Sequence, residues 1–114
     1  MTDKFILQGH IPIPCEDIFI WGRWLEENRK SKIVSQETIG HYFVSTVFLG
    51  LDHRYNDGPP LLFETMIFDD REKTKIGTSG DIGYQERCST WEQALEMHER
   101  AKAFAELRLN ENPK

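Results

Sequence analysis

Cysteine is scarce. Cys15 and Cys88 are the only two in 114 residues, and they form neither a C-x-x-C pair nor any other metal spacing. Free thiols packed as small hydrophobes are expected, with a disulfide as the alternative. Both stand near expected helix starts, where the positive dipole end lowers a thiol pKa, but neither has a base partner close in sequence. No apolar run approaches the ~20 residues of a membrane span. The opening MTDKFILQGH also lacks the apolar core of a signal peptide. A cytoplasmic protein without membrane contact is therefore expected. Positive charge is not in excess either: the formal net charge is −5, so there is no basic field to attract duplex DNA or an anionic membrane. A local basic pocket could still hold one small anion.

The familiar chemical signatures are missing as well. There is no P-loop, no G-x-G-x-x-G, no G-x-S-x-G elbow and no paired H-x-[ST]. His53, His98, Asp52 and Glu64 are metal-ligating types, but no H-x-H or H-E-x-x-H spacing links them, and neither a metal nor a cofactor is expected. The glycine-rich GTSGDIG lies in a charged stretch with no helix directly after it. No repeat or linker divides the chain, so residues 1–114 read as one domain. A composition of 39% hydrophobic and 29% charged residues suits a folded core rather than a disordered chain.

What is present reads as an α+β protein. KFILQG is a short strand candidate, and the prolines of HIPIP keep the chain extended. Pro14 suits the first position of a helix over 14–29, with Glu16 and Asp17 in its first turn. Ile18, Trp21 and Leu25 form its apolar stripe, and Gly22 is expected to mark a close helix contact. A weaker strand region follows from Lys32, with Gly40 as its turn or bulge. Two stronger strands, 42–51 and 61–68, are apolar on both parities, which predicts that both of their faces are covered. IGYQERC reads as a final edge strand. The last helix, near 90–108, opens on Ser89 and Glu92 at capping-box spacing, and Trp91, Ala94, Leu95, His98, Ala101 and Ala105 share one of its faces. The expected architecture is an antiparallel sheet of about four to five strands with two α-helices packed on it, on one face. Trp21, Leu25, Val47, Leu49, Phe63, Trp91 and Leu95 are expected in the core.

Polar residues interrupt the apolar strands. Glu64 alternates with Leu62, Met66 and Phe68, and a bare buried carboxylate costs several kcal/mol, on the order of the water-to-apolar transfer penalty. It either meets an arginine such as Arg23 or Arg87, lies on a half-wet face, or receives a ligand. Ser45, Thr46 and Thr65 suit strands on their own account. Asp52 and His53 stand where the first strand runs out and point to opposite sides of an extended chain. Between the strands, Asp57 and Gly58 make a turn that Pro59 and Pro60 stiffen. That loop is either a plain rigid hairpin or the rim of a site. His98 on an apolar helix face is more often a satisfied core residue than a ligand.

The strings VSTVFLGLDH, GPPLLFETMIF and RCSTWEQALEMHERA, with HIPIPCED and WGRWLE upstream, resemble a family of small phage- and prophage-encoded proteins. The resemblance carries over Ser45, Thr46, Asp52, His53, Gly58, Pro59, Pro60, Glu64, Thr65, Trp91 and His98, whereas Arg54 and Tyr55 fall at variable positions. It implies a phage-type accessory protein in the host cytoplasm. Polar groups inside apolar strands favour a pocket, and the missing nucleophile and metal motifs favour binding over catalysis. The expected function is non-enzymatic binding, with sequestration as one form of it, of a small ligand such as a nucleotide immune signal. The site expected for that ligand is Ser45, Thr46, Asp52, His53, Gly58, Pro59, Pro60, Glu64, Thr65 and His98, with no catalytic residue assigned. A small hydrolase using Glu64, His53 or His98 is one alternative, and a virion component or inhibitor of a host enzyme is another. Three tryptophans and several strand aromatics predict a homo-oligomer, most simply a dimer.

Overall fold

The computed structural model describes residues 2–54, 56–72 and 80–111. Met1, Tyr55, residues 73–79, which include the first three of the glycine-rich GTSGDIG, and the last three residues lie outside the described residues. Among the described residues, six strands and two helices follow in the order β1 (Phe5–Gln8), β2 (Ile11–Pro14), α1 (Ile18–Glu27), β3 (Ile33–Ile39), β4 (Tyr42–Phe48), β5 (Phe63–Asp69), β6 (Asp81–Cys88) and α2 (Trp91–Glu111). β1 and β2 form a two-stranded hairpin, and β3-β4-β5-β6 an antiparallel meander in sequence order. The fold is α+β, as expected, with the strands divided between two sheets.

Local chemistry fixes the element ends. Pro14 closes β2, paired with Phe5, instead of opening the helix; the extended HIPIP segment is completed as a hairpin strand. Asp17 caps α1 in its place, with Oδ1 accepting from Phe19 N at 2.9 Å and Ile20 N at 3.1 Å. At α2 the capping box sits one residue later than the Ser89–Glu92 spacing suggests. Gln93 N donates to Thr90 Oγ1 at 3.1 Å, and Gln93 Oε1 accepts from Thr90 N and Ser89 N. The helix then continues past 108 to Glu111.

Between β3 and β4 only Gly40 and His41 intervene, and Gly40 has φ +61°. A positive φ at the first central residue is the type II′ requirement that glycine meets. The close approach expected at Gly22 occurs at Gly50 instead. A Cβ on Gly22 would meet nothing within 4 Å, whereas one on Gly50 would come within 2.9 Å of the Leu25 side chain. Trp21 Nε1 donates to the Gly50 carbonyl at 2.9 Å, so α1 is tied to the end of β4 by a tryptophan across a glycine.

The meander alternates strictly. In β4 Tyr42, Val44, Thr46 and Phe48 are buried, and in β5 Phe63, Thr65, Ile67 and Asp69 are buried. All eight face α2, whose Ala94, Met97, His98, Ala101 and Ala105 pack down on them. The opposite face carries Phe43, Val47, Met66 and Phe68, which are only half-buried. Among the described residues α2 covers one side only, so the expectation of two equally covered faces is corrected to that extent: apolar residues occur at both parities, but those away from α2 are only half-buried. Leu95, expected in the core, is 46% exposed, because the helix turns its alanines and Met97 inward. Trp21, Leu25, Val47, Leu49 and Trp91 are half-buried, and Phe63 is fully buried. Trp91 stacks flat under His10 of the β1–β2 turn, with ring centroids 3.8 Å apart. That stack docks the hairpin on the start of α2.

Candidate functional site

The strand alternation splits the expected pocket. Thr46 and Thr65 are cross-strand partners on the face covered by α2, whereas Glu64, one residue along, points to the other face. At the α2 interface the polar groups form a continuous chain. Thr46 Oγ1 lies 2.5 Å from Thr65 Oγ1 and 2.6 Å from His98 Nδ1. His98 Nε2 lies 3.0 Å from Glu37 Oε1, and Lys102 Nζ donates to the other Glu37 oxygen at 3.1 Å. Lys102 is one turn after His98 on α2, so both side chains descend on β3 from the same stripe. The Lys102 ammonium, with help from His98, holds the Glu37 carboxyl below the usual carboxylate range against the opposing effect of desolvation. The Lys102 ammonium is raised in return.

An ionised carboxylate only accepts, so Nε2 of His98 carries the proton shared with Glu37. The arrangement is then complete: Nδ1 accepts from the Thr46 hydroxyl, and Thr46 accepts from Thr65. A hydroxyl, an imidazole and a carboxylate in series have the connectivity of a nucleophile, its base and the group that orients the base. Access is what they lack. Thr46 and Thr65 are 0% exposed and His98 is 1% exposed, so a substrate has no approach to the Thr46 hydroxyl. The chain acts as an internal tether between α2 and three strands, and His98 is the satisfied core histidine of the two readings above.

On the opposite face, Glu64 meets one of the two arginines that its sequence position suggested. Arg87 Nε donates to Glu64 Oε2 at 3.0 Å and Gln85 Nε2 to the same oxygen at 2.7 Å. Ser45, on that face of β4, accepts from Gln36 Nε2 at 3.0 Å.

Asp52 is a loop staple. Its Oδ1 accepts from Arg54 N at 2.9 Å and Leu61 N at 3.0 Å, and its Oδ2 pairs with Arg54 Nε at 2.7 Å. Arg54 reaches on to the Gly58 carbonyl at 2.7 Å, so one ion pair fixes both sides of the turn. His53 N donates to the Leu61 carbonyl at 3.1 Å, and the residue is half-buried. Pro59 is exposed and Pro60 half-buried, consistent with a rigid hairpin whose side chains need no ligand to order them.

The ten expected site residues thus fall into three groups: the sealed relay of Thr46, Thr65 and His98; the second sheet face with Ser45 and Glu64; and the loop of Asp52, His53, Gly58, Pro59 and Pro60. Sequence reading missed Glu37 and Lys102, which complete the relay, and discounted Arg54, which holds the loop. The spacing of His98 and Lys102 was a usable signal; the β3–β4 register that puts Glu37 opposite Val44 was not. Among the described residues no group of three or more His, Cys, Asp or Glu is placed to hold a metal ion, and no helix is long and apolar enough to cross a membrane. Comparison with protein-family models, with curated proteins and with solved structures finds no match for this chain.

Proposed function

We propose that this chain is a phage-type accessory protein that acts by binding another protein, through the outer side of α1. One observation carries the reading. Ile18, Phe19 and Ile20 are 59%, 82% and 56% exposed, and α1 has no buried residue at all. Ile11, at the turn end of β2, is also 68% exposed. Three consecutive large apolar side chains in water are unfavourable by themselves and characteristic of contact surfaces. Thr46, Thr65, His98, Asp52 and Glu64, by contrast, are engaged with partners inside the protein.

Charge identifies the kind of partner. Beside the apolar residues Glu16 and Asp17 stand exposed, whereas Glu26 and Glu27 at the far end of α1 are accompanied by the exposed Arg29 and Lys30, with Arg23 between. The acidic edge beside Ile18–Ile20 disfavours an anionic membrane or a nucleic acid at that end of α1. It suits a protein groove with an apolar floor and lysine or arginine along its edges, filled as an amphipathic helix fills one. Inhibition of a host enzyme and attachment within a virion are both served by such docking.

A photo-crosslinking residue at Ile18 in producing cells, followed by reconstitution of the captured complex from purified components, tests the proposal. The expected result is a saturable complex weakened about tenfold or more by Phe19→Ser, on the scale of an interfacial anchor, and weakened further by salt. A complex indifferent to Phe19→Ser, with the fold intact, overturns the reading. Tight binding of a nucleotide that is unaffected by Phe19→Ser would restore the small-ligand function instead.

A further inference from the structure

We infer that α1 also pairs with α1 of a second copy, antiparallel and with the two-fold axis between Phe19 and Ile20, so that the surface proposed above for docking is covered in the free protein. Only that consequence, competition between a second copy and another partner, rests on the docking reading; the pairing stands on α1 itself. The inner side of the helix is engaged within the chain. Trp21 Nε1 donates to the Gly50 carbonyl, Trp24 meets the Phe48 ring edge-on at 5.9 Å, and Leu25 lies against Gly50. Phe19, at 82% exposed, is on the outer side, and Arg23, four residues on, lies one turn further along the same stripe. Gly22, one turn after Ile18, has no atom within 4 Å of a Cβ placed on it, so a second helix can approach there without displacing anything.

The occupant follows from the order of charges along α1. Glu16 and Asp17 precede the apolar residues and Arg23 follows them, and all three are exposed. Asp17 uses its Oδ1 on the Phe19 and Ile20 amides, which leaves Glu16 as the acid that reaches outward. Acid before and base after an apolar centre is a pattern that a parallel copy mismatches and an antiparallel copy matches. Glu16 and Arg23 are equidistant in sequence from the Phe19–Ile20 midpoint, so reversal sets Glu16 of each copy beside Arg23 of the other, once on either side of the axis. Antiparallel helix dipoles attract as well. Further along, Glu26 and Glu27 are balanced by Arg29 and Lys30, so the far end of α1 adds no net charge to the seam.

Size sets the strength. Ile18, Phe19 and Ile20 of each copy make a small apolar contact, below the ~800 Å² per partner of a standard stable interface. The two Glu16–Arg23 pairs lie at its edge, where water and salt screen them. A dimer that dissociates at about 100 µM is expected, rather than an obligate one, and a tighter partner displaces it.

Sedimentation equilibrium from about 10 to about 500 µM tests this, a range that brackets such an affinity. The expected result is a monomer–dimer equilibrium that is lost in Phe19→Ser and weakened about fivefold or more by Glu16→Arg or Arg23→Glu alone, on the scale of a lost rim pair turned repulsive. The double variant Glu16→Arg with Arg23→Glu restores the dimer, because the reversed charges again face each other. If a charge reversal lowers the helix content seen by circular dichroism, Glu16→Gln or Arg23→Gln replaces it and must weaken the dimer in the same direction. A monomer throughout that range overturns the inference. So does a dimer indifferent to Phe19→Ser, or a double variant as weak as the single ones. A monomer here leaves the complex captured at Ile18 standing, and a failed capture leaves the pair standing, so the two readings fail separately.

Discussion

Thr46→Val is the sharpest perturbation of the buried relay. The two side chains have nearly the same shape, so packing is preserved and only the hydroxyl is removed. Two groups are stranded at once: the Thr65 hydroxyl loses its partner at 2.5 Å, and His98 Nδ1 loses its partner at 2.6 Å. Both residues are essentially without solvent contact, so water cannot substitute. A stranded buried polar group costs about 1–3 kcal/mol, which makes roughly 3 kcal/mol the expected loss after partial relaxation. For a domain of this size, that corresponds to a fall in thermal midpoint on the order of 10 °C. Urea unfolding followed by tryptophan fluorescence reads it directly. The double variant Thr46→Val with Thr65→Val supplies the stricter test, because it removes one of the two stranded groups. It should be more stable than Thr46→Val alone, since replacing both members of a pair by apolar groups approaches neutrality. A Thr46→Val protein within about 0.5 kcal/mol of wild type, the usual range of an inconsequential substitution, would refute the relay as a structural tether. So would a double variant whose loss equals the sum of the single ones.

Three further outcomes follow from the same structure. Glu37 is depressed below its ordinary value of 4.5, chiefly by Lys102; a depressed carboxyl adds stability above its unfolded pKa and loses it as pH falls through the folded one. The stability difference between wild type and Lys102→Met should therefore be present at neutral pH and close progressively as pH falls below 4.5, and denaturation curves showing a difference that widens in acid would contradict it. Burial pushes the Cys88 thiol up to about 11, reversing the effect expected from its place before α2, so a thiol reagent at pH 8 should label Cys15 well before Cys88. Equal labelling rates in the folded protein would count against that placement. Finally, Phe63→Ala should cost about 3–5 kcal/mol as a fully buried aromatic, whereas Leu95→Ser should stay within about 0.5 kcal/mol, and comparable losses for the two would invert the helix face described here.

Much of the architecture was legible because it depends on short-range periodicity. The runs VSTVF and FETMIF, apolar on both parities, set the two central strands, and the apolar stripe of α2 set the longer helix. Where expectation and structure part, competing local signals are responsible. Pro14 satisfies a helix start and a strand end equally well, and pairing with Phe5 decided for the strand. Leu95 lies beside the inward stripe rather than on it, and small residues at Ala94, Ala101 and Ala105 bring the helix close enough that Met97 and His98 fill the gap. Residues that are apolar on both parities cannot show which side of a sheet a helix will take.

The candidate site was less legible for a different reason. Its residues were grouped because each is polar among apolar neighbours, and that property is shared by a binding pocket, a loop staple and a buried tether. Glu64 and Thr65 are adjacent in sequence, yet the pleat sends them to opposite faces, one to Arg87 and the other to Thr46. Only the partners distinguish the roles, and those partners come from three other elements: Arg87 from β6, Glu37 from β3, Lys102 from α2. Composition located the polar residues that the fold could not leave unpaired. Strand register decided which of them were used to hold the protein together, sending Thr46 and Thr65 to the relay under α2 and Glu64 to Arg87 on the other face.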